Sequence, residues 1–443
     1  MKYHILTFGC QMNVADSGWL DRSLTSMGYE KTPDEDQADF FIVNTCSVRE
    51  KPEQKVYSLL GRLKEFQEKK PWVFACVGGC VAQQVGNFFF QRFPFVRLVF
   101  GTDGLAMVPA ALQRLEKDEH LKISLLDFQD LYPERTNHWP DKLGPQAFVN
   151  IMQGCDNFCA YCIVPYTRGR QKSRSSAEIL RECRELVDRG VKEITLLGQN
   201  VNSYGQDKDG QEISFARLLR EVDRINDLKR LRFTTSHPKD MSPEVIKVFG
   251  ELETLCPQLH LPLQSGSDDI LKSMGRKYTS SKYLDLVEAL RSVCPDLALT
   301  TDLIVGFPGE TDTDFQQTLN VMNKVGFDSC FSFKYSDRPG VRSSLMQPKV
   351  SEQEKTLRLD ILQQLQEEWT RKRLESRVGR KDLVLIEAPS KMQKAGTRSW
   401  KGRDLGGRVV NVGLDSSDDL TGKILEVAVI RAKKHSLEGE VIR

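Results

Sequence analysis

The chain has 443 residues, of which 40% are hydrophobic and 28% are charged, and its formal net charge is +2. This composition is typical of a soluble globular protein, and the length predicts two or three domains because a single core stops growing before that size. No apolar run approaches the roughly 20 residues that cross a bilayer, and no signal peptide is recognisable at the start. A cytoplasmic protein without membrane association is therefore expected. Its eleven cysteines then favour metal or redox chemistry over a disulfide framework.

Residues 1–120 alternate short apolar runs with longer amphipathic runs, which predicts an open parallel βα domain. Strands are expected at residues 4–7, 40–44, 72–77 and 96–100, and helices at 15–27, 53–68 and 81–93. Cys10, Cys46 and Cys80 each follow one of the first three strands. The carboxyl ends of parallel strands meet in one crevice, so these thiols can form a three-thiolate site.

Two alternatives remain for these cysteines. Cys76 competes for the third position, but it lies inside an apolar run, whereas Cys80 follows Gly78 and Gly79 on a loop that faces the crevice. The three residues can also be buried cysteines that act as small hydrophobic side chains.

Residues 121–140 are assigned as an interdomain linker. The stretch 133–142 is polar, contains proline and has no periodicity.

Three further cysteines, Cys155, Cys159 and Cys162, lie within eight residues on a loop that begins with Gly154. Three thiolates do not complete a structural zinc site, but they can bind three irons of a [4Fe-4S] cube and leave the fourth iron open. A zinc loop with a remote fourth ligand, or three unconnected core cysteines, are the alternatives.

Residues 141–372 continue the βα pattern and predict a partial (β/α)6 barrel. Its strands are expected at residues 147–152, 193–197, 230–235, 259–263, 297–305 and 330–335, its helices at 177–189 and 280–293, and a closing helix at 351–372. Polar and glycine-rich words follow four of these strands, at residues 198–200, 236–238, 264–267 and 306–310. Such groups suit a small-molecule site at the carboxyl ends of the barrel strands, although each motif by itself is also explained by the residue preferences of turns.

The other polar and thiol side chains of this region are interpreted as structural. His237 is expected to be a hydrogen-bonded structural residue rather than a proton shuttle, since no carboxylate partner lies near it in sequence. Cys183, Cys256, Cys294 and Cys330 have no partners at ligand spacing and are expected in the core.

Residues 373–443 predict a small β-barrel, with strands at 383–387, 408–412 and 424–430. From Arg371 to Arg443 there are 17 Lys and Arg against 10 Asp and Glu, whereas the rest of the chain is net acidic. The surplus indicates a nucleic-acid surface or an ordinary solvated basic face. The candidate phosphate contacts are Lys401, Arg403, Arg408, Lys433 and Lys434.

These motifs together resemble the radical S-adenosylmethionine (SAM) methylthiotransferases over essentially the whole chain. The resemblance rests on the sequence motifs at residues 7–13, 44–51, 79–84, 154–170 and 302–310. The motifs at residues 406–408 and 432–440 are similar to the RNA-binding TRAM domain. The chain departs from the family words at Gly18, Trp19, Pro52 and Asp337.

The resemblance implies two [4Fe-4S] clusters, an auxiliary one on Cys10, Cys46 and Cys80 and a SAM-cleaving one on Cys155, Cys159 and Cys162. It also implies SAM contacts from a set of residues around the barrel mouth: Tyr161, Gln199, Asn200, Gln264, Ser265, Asp302, Gly306 and Glu310. One SAM would methylate a sulfur at the auxiliary cluster, and a second would supply the radical.

Residues 7–13 and 163–170 look most like the MiaB-type methylthiotransferases. This likeness implies methylthiolation at C2 of N6-isopentenyladenosine beside the tRNA anticodon, in a monomer that uses a flavodoxin or ferredoxin as electron donor and a separate sulfur donor. The alternatives are sister enzymes acting on threonylcarbamoyl-adenosine of tRNA or on an aspartate of a ribosomal protein. A remote alternative is a non-catalytic iron-sulfur RNA-binding or electron-transfer protein.

Overall fold

The computed structural model describes residues 1–47, 50–133, 135–140, 143–207, 211–390, 399–414 and 418–442. Parts of the sequence motifs lie outside this description: Val48 and Arg49, the side chains of residues 50–53 including Pro52, and residues 134, 141 and 142 of the polar stretch 133–142.

The described N-terminal residues form a parallel sheet of six strands in the order β2-β1-β3-β4-β5-β6. Its strands are β1 (Lys2–Thr7), β2 (Glu30–Lys31), β3 (Phe40–Thr45), β4 (Phe74–Gly79), β5 (Val96–Phe100) and β6 (Ile123–Leu125). The helices of this region are α1 (Gln11–Ser26), α2 (Glu50–Lys69), α3 (Cys80–Val85), α4 (Phe88–Arg92) and α5 (Val108–Lys117).

Three features of this sheet differ from the sequence prediction. β2 and β6 were not predicted, because runs of two and three residues are too short for an alternating pattern. β6 pairs with β5 and lies beyond residue 120, inside the stretch assigned as linker. The helix expected over 81–93 is two helices, α3 and α4, interrupted at Gly86 and Asn87.

Helices cover both faces of the N-terminal sheet, because successive side chains of a strand point to opposite sides. Phe40 and Cys76 pack with residues of α1 and α5, whereas Phe41 and Val77 pack with α2, α3 and α4. Cys76 is fully buried in the first of these cores, and burial raises the pKa of its thiol. Its environment is that of a hydrophobic core residue.

The central region contains the predicted partial barrel. Its strands are β7 (Gln146–Asn150), β8 (Met152–Gln153), β9 (Lys172–Ser173), β10 (Glu193–Leu197), β11 (Arg230–Thr234), β12 (Gln258–His260), β13 (Ala298–Val305) and β14 (Ser329–Lys334). Its helices are α6 (Val164–Thr167), α7 (Ser176–Asp188), α8 (Phe215–Asp223), α9 (Pro243–Glu251), α10 (Asp268–Ser273), α11 (Ser280–Val293), α12 (Asp312–Val325) and α13 (Glu352–Glu375).

Six parallel strands of this region form the barrel wall in the order β7-β10-β11 and β12-β13-β14. A single bridge between Leu231 and Leu255 links the two halves. One large core fills the space between the strands and helices α7, α8, α9, α11, α12 and α13. As in other barrels of this kind, side chains at the carboxyl ends of the strands are free to form a site.

The C-terminal strands close into a small barrel in the order β15-β16-β17-β19-β18, and β17 and β19 pair in parallel. The strands are β15 (Lys381–Pro389), β16 (Ser399–Arg403), β17 (Val409–Gly413), β18 (Ile424–Ala432) and β19 (Leu437–Val441). The predicted α/β fold class, with an open parallel domain, a partial barrel and a small β-barrel, is thereby confirmed.

The small barrel packs against the amino-terminal ends of the central strands. Arg230, the first residue of β11, donates hydrogen bonds to the carbonyl oxygens of Arg403 and Leu383 at 2.9 and 2.8 Å. Arg408 of the small barrel pairs with Asp328, which precedes β14, at 2.6 Å. The small barrel and the chemical mouth therefore lie at opposite ends of the central strands. Among the described helices, none is both long enough and apolar enough to cross a membrane.

Candidate active site

The cysteine loop of the central region is closed by a short antiparallel ladder. β8 pairs with β9, so the residues between them fold back above the carboxyl end of β7. Gly154 has φ +78°, and a Cβ atom on it would lie 2.0 Å from the carbonyl oxygen of Arg170. Only glycine fits there. Asp156 secures the other side of the loop through Arg170 Nε at 2.6 Å and the Gln171 amide at 3.1 Å.

Cys155, Cys159 and Cys162 face a common interior, and each thiol has a distinct environment. Burial raises the pKa of Cys155, and burial together with the charge of Cys159 raises the pKa of Cys162 to about 12. The side chain of Arg276, buried beneath the loop, lies 3.5 Å from Cys159 Sγ through Nη1. Asn157 Nδ2 lies 3.6 Å from Cys155 Sγ.

This arrangement fits the ligand set of a cluster better than that of a single ion. Within the described residues, no three His, Cys, Asp or Glu side chains converge as ligands of one metal ion. A [4Fe-4S] cube instead takes one thiolate at each of three irons, so its ligands surround it rather than meet at a point. The buried Cys159, the half-buried Cys155 and Cys162 and the Arg276 donor are available as such a set.

A cavity of about 170 Å³ opens next to Cys162 at the barrel mouth. Three residues predicted to contact SAM, Tyr161, Gln264 and Asp302, line it together with Ile304 and Phe333. Gln264 has φ +71°, an uncommon backbone region for a residue other than glycine, and its amide bonds to the Asp302 carbonyl oxygen at 2.9 Å. The structure thus brings part of the predicted set to one place.

Two other residues predicted to contact SAM, Gln199 and Ser265, form hydrogen bonds within the protein. Gln199 Oε1 accepts a hydrogen bond from the Gly154 amide at 2.6 Å, so it positions the cysteine loop. The Ser265 hydroxyl lies 3.4 Å from Thr318 Oγ1 and accepts from the Ser267 amide, which directs it toward α12.

Gly306 and Glu310 likewise bind each other. The Gly306 amide donates to Glu310 Oε1 at 2.8 Å, and Arg358 donates to the same oxygen at 2.8 Å. Both residues are buried. This pair and Arg358 fix the loop after β13, and the carboxylate is not presented to the cavity.

Unpartnered polar atoms mark the rest of the mouth. Asn200 Nδ2 donates to Asp240 at 2.7 Å, but the buried Asn200 Oδ1 has no partner among the described residues, and neither do Ser236 Oγ and His237 Nε2. Buried polar atoms normally find partners, so these three indicate where a bound polar ligand is accommodated. Burial and the Arg276 charge lower the pKa of His237 to about 2, so the imidazole is neutral.

The second group of thiols lies at the carboxyl ends of the N-terminal strands. Cys10 precedes α1, Cys46 follows β3 and Cys80 begins α3. Gly79 brings the ends of β3 and β4 close together, since a Cβ there would lie 2.2 Å from the Thr45 carbonyl oxygen. A hydrogen bond from Cys46, assisted against the cost of burial by the charge of Arg168, lowers the pKa of Cys10 to about 5.

An asparagine pair supports this second site. Asn13 Nδ2 donates to Asn44 Oδ1 at 3.0 Å and to the Thr45 carbonyl oxygen at 2.9 Å, and Asn44 Nδ2 donates to the Asn13 carbonyl oxygen at 3.0 Å. Both asparagines are buried. They tie the start of α1 to the end of β3, and so hold Cys10 beside Cys46.

Arg168 joins the two thiol sites, and sequence reasoning did not assign it a role. It lies six residues after Cys162 at the end of α6, and α6 packs against α3. The charges of Cys80, Asp16 and Cys10 raise its pKa against the effect of burial. The only sequence signal is a basic residue shortly after the cysteine loop, which does not indicate where the side chain points.

Polar contacts close the rest of this domain boundary. Lys172 Nζ lies 2.5 Å from Asp103 Oδ2, and Gln153 Nε2 donates to Thr102 Oγ1 at 3.1 Å. Lys172 and Asp103 are both buried. The two domains are thus packed against each other where their strands end.

The stretch predicted as a linker also takes part in the packing. Arg135 is buried and pairs with Asp16 at 2.8 Å, and Trp19 Nε1 donates to the Thr136 carbonyl oxygen at 3.0 Å. The polar composition was interpreted as that of an interdomain linker, and the structure shows that polar groups of Arg135 and Thr136 have partners on α1. Arg135 and Thr136 are therefore part of the domain boundary.

The five predicted phosphate contacts differ widely in their availability. The Arg408 side chain is 12% exposed and pairs with Asp328 and Asp404 at 2.6 and 3.1 Å, so it holds the small barrel in place. Arg403 pairs with Glu387 at 2.9 Å and Lys433 with Glu438 at 2.5 Å. Lys434 is largely exposed beside Glu367, and Lys401 is half-buried.

Comparison with known proteins agrees with this architecture. Residues 149–322 match the radical SAM superfamily, and residues 2–101 match the uncharacterized protein family UPF0004. The radical SAM methyltransferase TsrM from Kitasatospora setae is similar in fold, with a TM-score of 0.57 at 15% identity over 78% of this chain and 77% of that chain. The cobalamin-dependent SAM radical enzyme OxsB is similar with a TM-score of 0.53 at 13% identity, over 84% of this chain and 56% of that chain.

The fold and the cysteine loop define a radical SAM enzyme, and this class implies SAM and a [4Fe-4S] cluster. The tRNA-2-methylthio-N(6)-dimethylallyladenosine synthase of Oleidesulfovibrio alaskensis is 56% identical over 99% of this chain and 98% of its own length. That of Nitratidesulfovibrio vulgaris strain Hildenborough is 57% identical over the same shares. The chain belongs to the family of tRNA-2-methylthio-N(6)-dimethylallyladenosine synthases, which confirms the predicted family.

Proposed function

We propose that this enzyme transfers a methylthio group to C2 of N6-dimethylallyladenosine beside the anticodon of tRNA. The observation that carries the proposal is the packing of α6, which follows the cysteine loop, against α3, which begins with Cys80, so that Arg168 at the end of α6 faces Cys80 and Cys10. A radical SAM enzyme that only cleaves SAM needs one three-cysteine site. A second thiol site beside the first provides a place for the sulfur that is transferred.

Cys155, Cys159 and Cys162 would hold the SAM-cleaving cluster, and Cys10, Cys46 and Cys80 the auxiliary cluster. When bound, the two clusters and SAM supply the one-electron chemistry and the sulfur that no protein side chain provides. In the reaction as a whole the C2–H bond is broken and a C2–S bond forms. One SAM gives up its methyl group, and a second is cleaved to methionine and 5′-deoxyadenosine.

The chain's own residues position these reactants. Gln199 and Asp156 hold the cysteine loop, and the cavity beside Cys162 is the place for the adenosyl group of SAM. The unpartnered atoms of Asn200, Ser236 and His237 are available to the polar groups of the ligand. The Lys239 amide donates to His237 Nδ1 at 3.1 Å, so the neutral imidazole carries its proton on Nε2 and can donate a hydrogen bond there without adding a positive charge.

The tRNA would contact two distant parts of the molecule. The small barrel, which we propose is an RNA-binding TRAM domain, lies at the amino-terminal ends of strands of five to eight residues, whereas the target base must reach the carboxyl ends. At about 3.3 Å per residue the two contacts are separated by roughly 16–26 Å. An RNA that binds both must run along the side of the central barrel, and its target base must be unstacked to enter the mouth.

The proposal also requires a reduced electron donor, such as a flavodoxin or ferredoxin, and a sulfur source. We expect a monomer that works in the cytoplasm, where tRNA is found.

Nucleoside mass spectrometry tests the function directly. The full-length protein is reconstituted with iron and sulfide, reduced, and incubated without oxygen with SAM and tRNA carrying dimethylallyladenosine. The expected product is the 2-methylthio derivative of that nucleoside, with tRNA lacking the dimethylallyl group as the control substrate. Formation of 5′-deoxyadenosine without this product would redirect the search to threonylcarbamoyl-adenosine tRNA or a ribosomal protein. RNA binding without SAM cleavage would support a non-catalytic protein.

Salt dependence of tRNA binding tests the small barrel. Each lysine that contacts a phosphate contributes about one unit to the slope of log affinity against log salt. Lys434→Ala is expected to weaken binding and to lower that slope, because Lys434 is exposed. Arg408→Ala is expected to loosen the barrel instead, which thermal unfolding would detect. An unchanged slope in Lys434→Ala would remove this lysine from the RNA surface.

A further inference from the structure

Arg168 lies in the central domain, but its side chain belongs to the thiol site of the N-terminal domain. Its backbone ends α6, where its amide bonds to the Val164 carbonyl oxygen at 2.8 Å. From there the guanidinium enters the boundary between α6 and α3, the helix that begins with Cys80. The side chain is 4% exposed.

The carboxylate nearest to Arg168 is already engaged. Asp16 accepts a hydrogen bond from Arg135 at 2.8 Å, whereas Arg168 Nη2 lies 3.8 Å from it, beyond hydrogen-bond distance. Arg168 also faces the side chains of Cys80, with which it forms a hydrogen bond, and Cys10. The positive charge therefore lies between one shared carboxylate and two cysteines.

One nitrogen of this guanidinium lacks an acceptor. Arg168 Nη2 is buried and makes no hydrogen bond to any residue in the described ranges. A buried N–H group without a partner destabilises the fold, and the penalty is larger when the group is charged. The Ser47 hydroxyl, adjacent to Cys46, is also buried without a partner. Two unsatisfied polar groups therefore border the same three cysteines.

We propose that Arg168 is a positioning residue of the auxiliary cluster, to which it donates a hydrogen bond at a thiolate or an inorganic sulfide. The inference rests on the proposed function, because it requires a cluster on Cys10, Cys46 and Cys80. The central domain then completes the site that the N-terminal domain begins. The auxiliary site would be fully formed only when the two domains are packed together.

A charged donor next to a cluster changes its electron affinity in a definite direction. Reduction adds a negative charge, which a hydrogen-bonded guanidinium stabilises, so Arg168 raises the reduction potential of the auxiliary cluster. Replacement by a neutral side chain is expected to shift the midpoint potential to a more negative value. Arg168→Lys retains the positive charge but loses the planar guanidinium donors, so its shift of the midpoint potential should be smaller.

Electron paramagnetic resonance of the auxiliary cluster alone tests the proposal. The full-length chain carries Cys155→Ala, Cys159→Ala and Cys162→Ala, and redox titrations compare Arg168 with Arg168→Met and Arg168→Lys. Arg135→Met is the matched control, because Arg135 shares Asp16 but does not contact the thiols in the described structure. The expected result is a negative shift in Arg168→Met at unchanged iron content, a smaller one in Arg168→Lys and none in Arg135→Met. Equal potentials in all four proteins would overturn the inference.

A second measurement does not depend on how the variants fold. In protein labelled with ¹⁵N-arginine, the reduced auxiliary cluster is expected to show a hyperfine coupling to ¹⁵N, because a hydrogen-bonded guanidinium lies within a few bonds of the spin. Absence of this coupling would overturn the proposal. A coupling in a protein that makes no methylthio product would support the role of Arg168 and contradict the proposed function. Product formation without the coupling would support the proposed function and contradict the role of Arg168.

Discussion

The two three-cysteine sites have the same number of thiols but are built in opposite ways. Cys155, Cys159 and Cys162 come from one loop, whereas Cys10, Cys46 and Cys80 come from the ends of three strands. Burial and mutual repulsion raise the pKa of Cys155 and Cys162, whereas a hydrogen bond from Cys46 and the charge of Arg168 lower that of Cys10. Each site has one buried arginine near a thiol, Arg276 and Arg168 respectively.

The difference shows how the surrounding residues give different thiol pKa values to two sites that have the same number of cysteine ligands. A cluster binds thiolates, so Cys155 and Cys162, whose raised pKa values favour the protonated thiols, must lose their protons on metal binding. The strand-end site favours one thiolate before any metal arrives. Its environment suits a site that handles anionic sulfur, whereas the compact loop suits a site closed around one cofactor.

The largest expected effect comes from removing the loop cysteines. Cys159→Ala should abolish SAM cleavage and remove about four of about eight irons per chain, because a cube with two remaining thiolates is not retained. Iron analysis and 5′-deoxyadenosine assays measure both quantities. Cleavage at the wild-type rate would contradict the assignment of this loop.

Removing a strand-end cysteine should separate SAM cleavage from methylthio transfer. Cys80→Ala is expected to keep SAM cleavage and lose the methylthio product. Cys76→Ala is the matched control in the same strand region: it should keep all the iron and cost about 1 kcal/mol of stability, since Cys76 is a buried core residue. Loss of iron in Cys76→Ala but not in Cys80→Ala would reverse the assignment.

Arg276→Met should affect the loop site and leave the strand-end site intact. Arg276 is buried and donates to the Pro262 carbonyl oxygen at 2.8 Å and to the Tyr278 hydroxyl at 3.0 Å, besides approaching Cys159. Its removal is expected to destabilise the protein by about 1–3 kcal/mol and to slow SAM cleavage. Thermal unfolding and cleavage rates are compared with those of Arg181→Met, which removes an exposed ion pair on α7. Equal behaviour of the two variants would contradict the role of Arg276.

The smallest expected effect is a pH dependence from His237. The pKa of His237 is about 2 in the folded protein, whereas an unfolded histidine titrates near 6.5, so only the unfolded state takes up this proton as the pH falls. Stability is therefore lost below about pH 6.5, at up to about 1.4 kcal/mol per pH unit. His237→Asn, which retains a cap for the Lys239 amide, should show a smaller fall in melting temperature between pH 7.5 and 5.5. An equal fall in melting temperature in the wild type and in His237→Asn would show that His237 is not protected from protonation.

Much of the fold was predictable because its signals are local. Glu193–Leu197 and Ser280–Val293 are the strand and helix that the apolar pattern predicts; the strand is buried along its whole length, and the helix buries one face. β2 and β6 were missed because they are too short to carry a pattern, and pairing with a neighbour strand stabilises them. Ser399–Arg403 and Leu437–Val441 were missed as well, since closure of the small barrel supplies their partners.

The sequence by itself determined the six candidate cluster cysteines and the three regions of the chain, because close spacing and strand ends are properties of neighbouring residues. Tertiary structure alone decided where the side chains are used. It directs Gln199 to the cysteine loop, Ser265 to α12 and Arg408 into an ion pair. It also brings Arg168 from one domain to the thiols of the other. Packing between distant segments sets these directions, and no local pattern records it.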